Sequence, residues 1–182
     1  MAVGHDLLAT LSEAGRVCVG LVFLLAATQK MSHWRIFFGV VANYRLLPRA
    51  AVAPVAALLP PLEMIVGLLL LSAQILPWAE AVAAALLILF AGAMAINLHR
   101  GREHIDCGCG QSFLKQTLSW TLVARNGVLA ALLLPSLAPV GPLSMSAALT
   151  GAGAGFGFFL LYLLLNTISA LPHPERRGHR FA

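Results

Sequence analysis

The sequence predicts an all-α integral membrane protein: a bundle of about five transmembrane helices, a four-helix core plus one, with an interfacial helix after the first span. Three observations predict it. Hydrophobic residues make up 59% of the 182-residue chain and charged residues only 10%, and the mean hydropathy is +0.85, far from a soluble domain. Five stretches reach or approach the roughly 20 apolar residues that a helix needs to cross a hydrocarbon core of about 30 Å. Backbone polar groups in lipid must be satisfied within the span, which leaves helices as the spanning elements. One membrane domain of this kind fills residues 1–182 and leaves no room for a soluble catalytic domain, so any chemistry falls to the bundle or its loops.

The first span lies near residues 7–28. Asp6 and Glu13 stand in its flank where a secretory signal carries lysines, and no small-residue cleavage site follows, so it reads as a retained helix. Residues 31–49 are too polar to cross, yet Trp34, Phe37, Phe38, Val41 and Tyr44 recur at helical spacing, the pattern of a helix lying in the interface. That helix either covers the neighbouring loop or simply anchors the chain. The second span, near 51–76, is flanked at its start by Pro48 and Pro54, and Pro77 separates it from the third, near 79–98. A polar loop, 99–117, leads to the fourth span, near 118–138, which Pro135, Pro139 and Pro142 close. The fifth, near 143–171, carries Gly151, Gly153, Gly155 and Gly157, two overlapping small-xxx-small repeats suited to close helix packing.

Charge gives the sidedness. Of the 12 basic residues, all but Arg16 and Arg125 fall in the first loop, the 99–117 loop and the C-terminal tail. Such short loops obey the positive-inside rule, so the expected orientation is N-terminus out and C-terminus in, across a bacterial cell membrane. Loop basicity and anionic lipid then account for the net charge of +5, and no nucleic-acid partner is implied.

The loop holds Asp106-Cys107-Gly108-Cys109-Gly110. Cysteines two apart reach disulfide distance only in a turn, for which Gly108 supplies backbone freedom. A small, strained, exposed ring of this kind exchanges readily and suits a relay. Arg102, His104 and Lys115 favour a thiolate while Asp106 opposes it. Metal binding with His99 or His104, and a purely structural role, are the competing readings. Cys18, mid-span, reads as a packing residue.

Charges within the spans are the second signal, because at that depth they face partners or a polar cavity. Glu63 follows Pro60-Pro61 in the second span, and Arg125-Asn126 lies in the fourth. Both helices start from the same side, so Glu63 and Arg125 are expected to pair, either fixing helix register or shaping a polar pocket beneath the cysteines.

The succession Gln29-Lys30, His33, Tyr44-Arg45-Leu46-Leu47-Pro48, Pro61-Leu62-Glu63 with Gly67, Asn97-Leu98-x-Arg100-Gly101-Arg102, the Cys-x-Cys loop and Arg125-Asn126 resembles the methylamine-utilisation MauE family of MauE/DoxX-like membrane proteins. Gly110 directly follows Cys109 where many relatives place Phe. The resemblance implies a role in maturing the small subunit of methylamine dehydrogenase, a periplasmic, disulfide-rich quinoprotein subunit, together with a thioredoxin-like, MauD-like partner. No methylamine oxidation is expected of the chain itself. It also implies Cys107 and Cys109 as a redox pair, supported by Lys30, Tyr44, Glu63, Arg102, Arg125 and Asn126, which would make the chain a thiol-disulfide oxidoreductase with membrane quinone as a candidate acceptor. A non-redox scaffold or translocation factor for the same subunit is the alternative. A cytoplasmic loop would send reducing equivalents outward, whereas an external one would suit an oxidase.

Overall fold

The computed structural model describes residues 2–72, 77–105, 107, 117–137 and 144–170, with side chains from residue 6 onward. Every regular element among them is helical. In order they are α1 (Ala2–Ser32), α2 (Trp34–Tyr44), α3 (Arg49–Leu71), α4 (Pro77–His99), α5 (Trp120–Ala131) with a 3₁₀ turn (Leu134–Leu137), and α6 (Met145–Ala170). Among the described residues five segments are long and apolar enough to cross a membrane: Asp6–Ser32, Arg49–Leu71, Pro77–His99, Trp120–Leu137 and Met145–Ser169.

The prolines act less as breakers than the sequence suggests. Pro48 does precede α3 in an extended conformation, but Pro54, Pro60 and Pro61 all lie inside that helix. Membrane helices tolerate proline because neighbouring groups re-satisfy the freed carbonyls. Pro77 is the first residue of α4, where its missing N–H has no intrahelical partner to lose. Within the spans many large apolar side chains, among them Leu58, Leu68, Ile88, Leu89 and Leu164, are exposed, as suits lipid-facing positions.

Helix α1 is the hub, packing along α3 on one side and α6 on the other, while α4 pairs with α5. Glycines set its distances. At the α1–α3 crossing a Cβ on Gly67 would lie 3.0 Å from the carbonyl oxygen of Gly20. On α6 only one of the two small-residue repeats is used. A Cβ on Gly155 would lie 2.6 Å from the Ala14 carbonyl oxygen and one on Gly151 2.9 Å from that of Thr10, whereas Gly153 and Gly157 meet nothing within 4 Å. The second repeat therefore faces away from the bundle. Cys18 packs with Val19, Val22, Val66, Leu70 and Leu133 in the main core, a small apolar filler as its position suggests.

A polar junction sits near the middle of α1, against the end of α3 and the start of α4. Arg16, expected merely as a charge inside the first span, donates to the carbonyl oxygens of Leu70 and Ser72 at 3.2 and 2.7 Å. It also pairs with Glu13 at 3.2 Å and with Glu80 at 3.3 Å. One guanidinium thereby satisfies carbonyls at the end of α3 and holds the first turn of α4, where an acid also meets the helix dipole favourably.

The α6 packing yields a direct test. Gly155→Ala forces a methyl into the α1 backbone and should destabilise the protein by about 1–3 kcal/mol, whereas Gly157→Ala should leave it unchanged. Thermal denaturation of the two variants in the same detergent reads the difference; equal melting points would refute the close α1–α6 contact.

Candidate functional site

The base of the cysteine loop is built by a helix C-cap. Gly101 takes a positive φ of 68°; its N–H donates to the Leu98 carbonyl at 2.9 Å and that of Arg102 to the Asn97 carbonyl at 3.0 Å. This is the double bond pattern that ends helices at a left-handed glycine. The reversal returns the Arg102 side chain over α4, where its Nη1 donates to Asn97 Oδ1 at 3.1 Å and to the Tyr44 carbonyl at 3.3 Å. Asn97 is fully buried and donates through Nδ2 to the Ala93 carbonyl at 3.0 Å. At the far side of the loop, Leu118 N–H donates to the Ile105 carbonyl at 3.1 Å and draws the two loop ends together.

Cys107 lies between these ends. It is buried, with 4% exposure, in a small cluster with Met94, Leu98, Leu118 and Leu122. Tyr44, the last residue of α2, donates through its hydroxyl to the Cys107 carbonyl at 3.1 Å. The expected exposed thiol at the water boundary is therefore corrected for Cys107: Tyr44 and the loop's apolar neighbours Ile105 and Leu118 cover it. Helix α2 accordingly does more than anchor the chain, since its C-terminus contacts the loop by both a side-chain and a main-chain bond. Asp106, Gly108, Cys109, Gly110 and Lys115 lie outside the described residues.

Beneath the loop runs a buried ion pair. Lys30, in the last turn of α1, pairs with Glu63 of α3, and the two are 6% and 1% exposed. The expected Glu63–Arg125 pair is thus corrected. The lysine reaches Glu63 because α1 continues to Ser32, so Lys30 is a bundle residue and not a loop charge. Arg125 turns to α6 instead: it donates to Asn166 Oδ1 and its guanidinium carbon lies 5.2 Å from the Tyr162 ring centroid, a cation–π contact. Its Nε is buried with no hydrogen-bond partner among the described residues. Buried Asn126 donates through Nδ2 to the Leu122 carbonyl at 2.9 Å. Lys30, Glu63, Arg125 and Asn126 nevertheless surround one small cavity of about 30 Å³, large enough for a water molecule.

A second and larger cavity of about 320 Å³ opens between α2, α3 and α4, with Cys107, Tyr44 and Lys30 among its lining residues. Apolar side chains form nearly all of its wall. The Lys30 ammonium sits 5.4 Å from the Phe37 ring centroid and 4.9 Å from that of Phe90, and both rings belong to the wall. Lys30 thus borders both cavities. His99, a candidate metal ligand in sequence, stacks edge-on against Trp120 with centroids 5.0 Å apart.

Sequence reasoning overlooked Asn166 and Glu80 as partners of the intramembrane arginines. Both are polar residues in predominantly apolar helices, and Glu80 is the one acidic residue of α4, which is itself the available signal.

The site can be broken and rescued. Lys30→Met or Glu63→Leu alone strands one buried charge and should cost about 3–5 kcal/mol, whereas the double variant should recover most of that loss. Chemical denaturation in micelles reads the cycle, and additive losses would show that the two charges are energetically independent.

Comparison with known proteins places this arrangement. Residues 8–139 match the family profile described as Methylamine utilisation protein MauE. Among curated relatives, the "Methylamine utilization protein MauE" of Paracoccus denitrificans is 43% identical over 86% of this chain and 86% of its own. Proteins of the same name from Paracoccus versutus and Methylophilus methylotrophus are 41% identical over 88% of this chain and 89% of theirs, and 36% identical over 92% and 90%. No solved structure matches.

Proposed function

Because the chain belongs to the MauE family of methylamine-utilisation proteins, we propose that it is a membrane factor for maturation of the methylamine dehydrogenase small subunit, working by thiol-disulfide exchange. Cys107 and Cys109 form the exchanging pair and a thioredoxin-like protein is the partner. In the exchange, a partner thiolate attacks one sulfur of the bridged pair, a mixed disulfide forms, and the second partner thiol resolves it. Two electrons enter the loop and the partner leaves oxidised; the reverse sequence reduces the partner.

One observation carries this reading: polar bonds from separate elements converge on the segment that holds Cys107. Arg102, Asn97 and Tyr44 tie the ends of α2 and α4 to the loop, which fixes where its first sulfur starts. Such preorganisation is what a site presented to a partner needs, and a spacer loop has no use for it. Helix α2 then acts as the cover that a partner displaces to reach Cys107. Lys30, Glu63, Arg125 and Asn126 support the loop from below. A second reading, a non-redox scaffold for the subunit, draws on the burial of Cys107.

The two readings separate in one experiment. Cys109→Ser combined with Cys107→Ala, alanine because that position is apolar, should leave the protein inserted in the membrane but abolish active dehydrogenase when it replaces the native gene. Normal dehydrogenase levels would leave only the scaffold.

Sidedness is tested separately. On the proposed orientation, C-terminus and loop inside, a membrane-impermeant maleimide applied to intact cells under mild reduction should leave a Cys18→Ala variant unlabelled until the membrane is opened. Labelling from outside would reverse the topology.

A further inference from the structure

We propose that the cavity between α2, α3 and α4 is the seat of one anionic phospholipid, with an acyl chain inside it and the phosphate held at its mouth by Arg45 and Arg49. The inference needs no thiol chemistry and stands whether or not the proposed exchange does.

The cavity wall selects a hydrocarbon chain. Its volume of about 320 Å³ falls at the lower end of small-molecule sites and far above the voids that close-packed protein leaves unfilled. Leu47 and Leu89 line the cavity and are also exposed, so it opens to the surroundings of the bundle, which along a spanning helix are lipid. Lys30 is the one charged residue in the wall. It already has Glu63 as its counter-ion and the Phe37 and Phe90 rings beside it. The interior is thus apolar and charge-balanced: a phosphate would give up its water there for an ammonium already neutralised, whereas a chain gives up nothing.

Charge at the mouth selects the head group. Leu46 and Leu47, both in the wall, lie between Arg45 and Arg49 in the chain, so the two arginines flank the opening. Both are exposed, and neither forms an ion pair among the described residues. Arg102 joins them, because its guanidinium reaches the carbonyl oxygen of Tyr44, the residue before Arg45, at 3.3 Å. Among the described residues of the two loops concerned, 45–48 and 100–105, the only acid is Glu103. Arg45 stands in the left-handed region at φ 48°, where glycine would fit without strain, so this corner carries a cation in place of the easier residue. Guanidinium groups match phosphate oxygens two at a time, and basic pockets between membrane helices bind anionic lipid heads. The head has to supply the selectivity, because every phospholipid offers a similar chain and hydrocarbon moving into an apolar cavity gains only packing.

The lipid completes the bundle on this side. Helix α2 packs on α3 and on the end of α1, while the cavity separates it from Leu89, Phe90 and Ala93 of α4. A chain in that gap is the missing packing partner, and it holds α2, and with it Tyr44, over Cys107.

The test places the full-length protein in nanodiscs of equal parts phosphatidylcholine and phosphatidylglycerol. Native mass spectrometry reads the lipid that stays bound, and a phosphatidylglycerol with a diazirine on its acyl chain reads where the chain lies. One phosphatidylglycerol should remain on each protein, with a preference over phosphatidylcholine of at least about tenfold, since each nearby arginine favours an anionic head. Arg45→Gln/Arg49→Gln should abolish that preference, and Arg45→Lys/Arg49→Lys should keep most of it. Photolysis should label residues 55–59 of α3 and 89–94 of α4. Ala93→Phe, which fills the cavity from α4, should remove this labelling, and Val55→Trp repeats the block from α3 in case the first variant folds poorly. Equal retention of the two lipids, wild-type retention by Arg45→Gln/Arg49→Gln, displacement of the lipid by free glycerol phosphate, or unchanged labelling in both blocked variants would each refute the site.

Discussion

The Lys30–Glu63 ion pair is the constraint on which the rest of this bundle depends. Glycines bring α1 and α3 close along their length, at Gly20 and Gly67, but glycine contacts alone permit sliding. Two charges removed from water have one favourable arrangement, and losing it costs several kcal/mol. The pair therefore fixes where α1 ends against α3. Helix α2 begins only two residues after α1 ends, at Trp34, so its position over the α3–α4 groove follows from that register. Phe37, on the first turn of α2, closes over the ammonium. From there the chain of consequence runs along α2 to Tyr44, and from Tyr44 to Cys107.

Helix α1 carries two buried cations of different character, Arg16 at its middle and Lys30 in its last turn. At Arg16 a planar guanidinium gathers several partners: it donates to two carbonyls and pairs with two carboxylates drawn from α1, α3, α4 and the segment that ends α3. That is structural use of a multidentate donor. Lys30 has one carboxylate partner, two aromatic neighbours and cavities on both sides. A compact ammonium on a flexible stem, with rotatable donors, is suited to a site that must accommodate a changing neighbour. The contrast sets a multidentate structural contact at Arg16 against a more open one at Lys30.

Much of this was legible in the sequence, and what was not has identifiable causes. The five apolar segments and the interfacial helix are legible because lipid imposes length and composition on anything that crosses it. The glycine stripe of α6 is legible as a packing face, but which of its two repeats is used depends on the rotation of α6 about its axis, which no local pattern encodes. Lys30, Tyr44, Glu63 and Arg102 stand out in the sequence through the motif that contains them. Their pairing does not. Glu63 and Arg125 look like partners because they are the conspicuous mid-span charges. The structure instead extends α1 by a turn beyond its apolar run and brings in Lys30, which sequence reasoning counts as a loop residue. The exposure of Cys107 is misread for a related reason: a polar loop sequence suggests water on all sides, yet Cys107 is buried and bonded to Tyr44, more than 60 positions upstream.

On the proposed thiol-disulfide function, that roof reconciles burial with reactivity. A thiol-disulfide pair in permanent contact with water would exchange with every small thiol in its compartment, and the electrons would not reach a chosen partner. With Cys107 under α2, access requires that the Tyr44 hydroxyl release the Cys107 carbonyl and that Arg102 release the Tyr44 main chain. These are a few hydrogen bonds, each worth about 1–3 kcal/mol, a barrier that the binding of a matching partner can offset and that a free small thiol cannot. The Lys30–Glu63 pair joins α1 to α3 and takes no part in these hydrogen bonds.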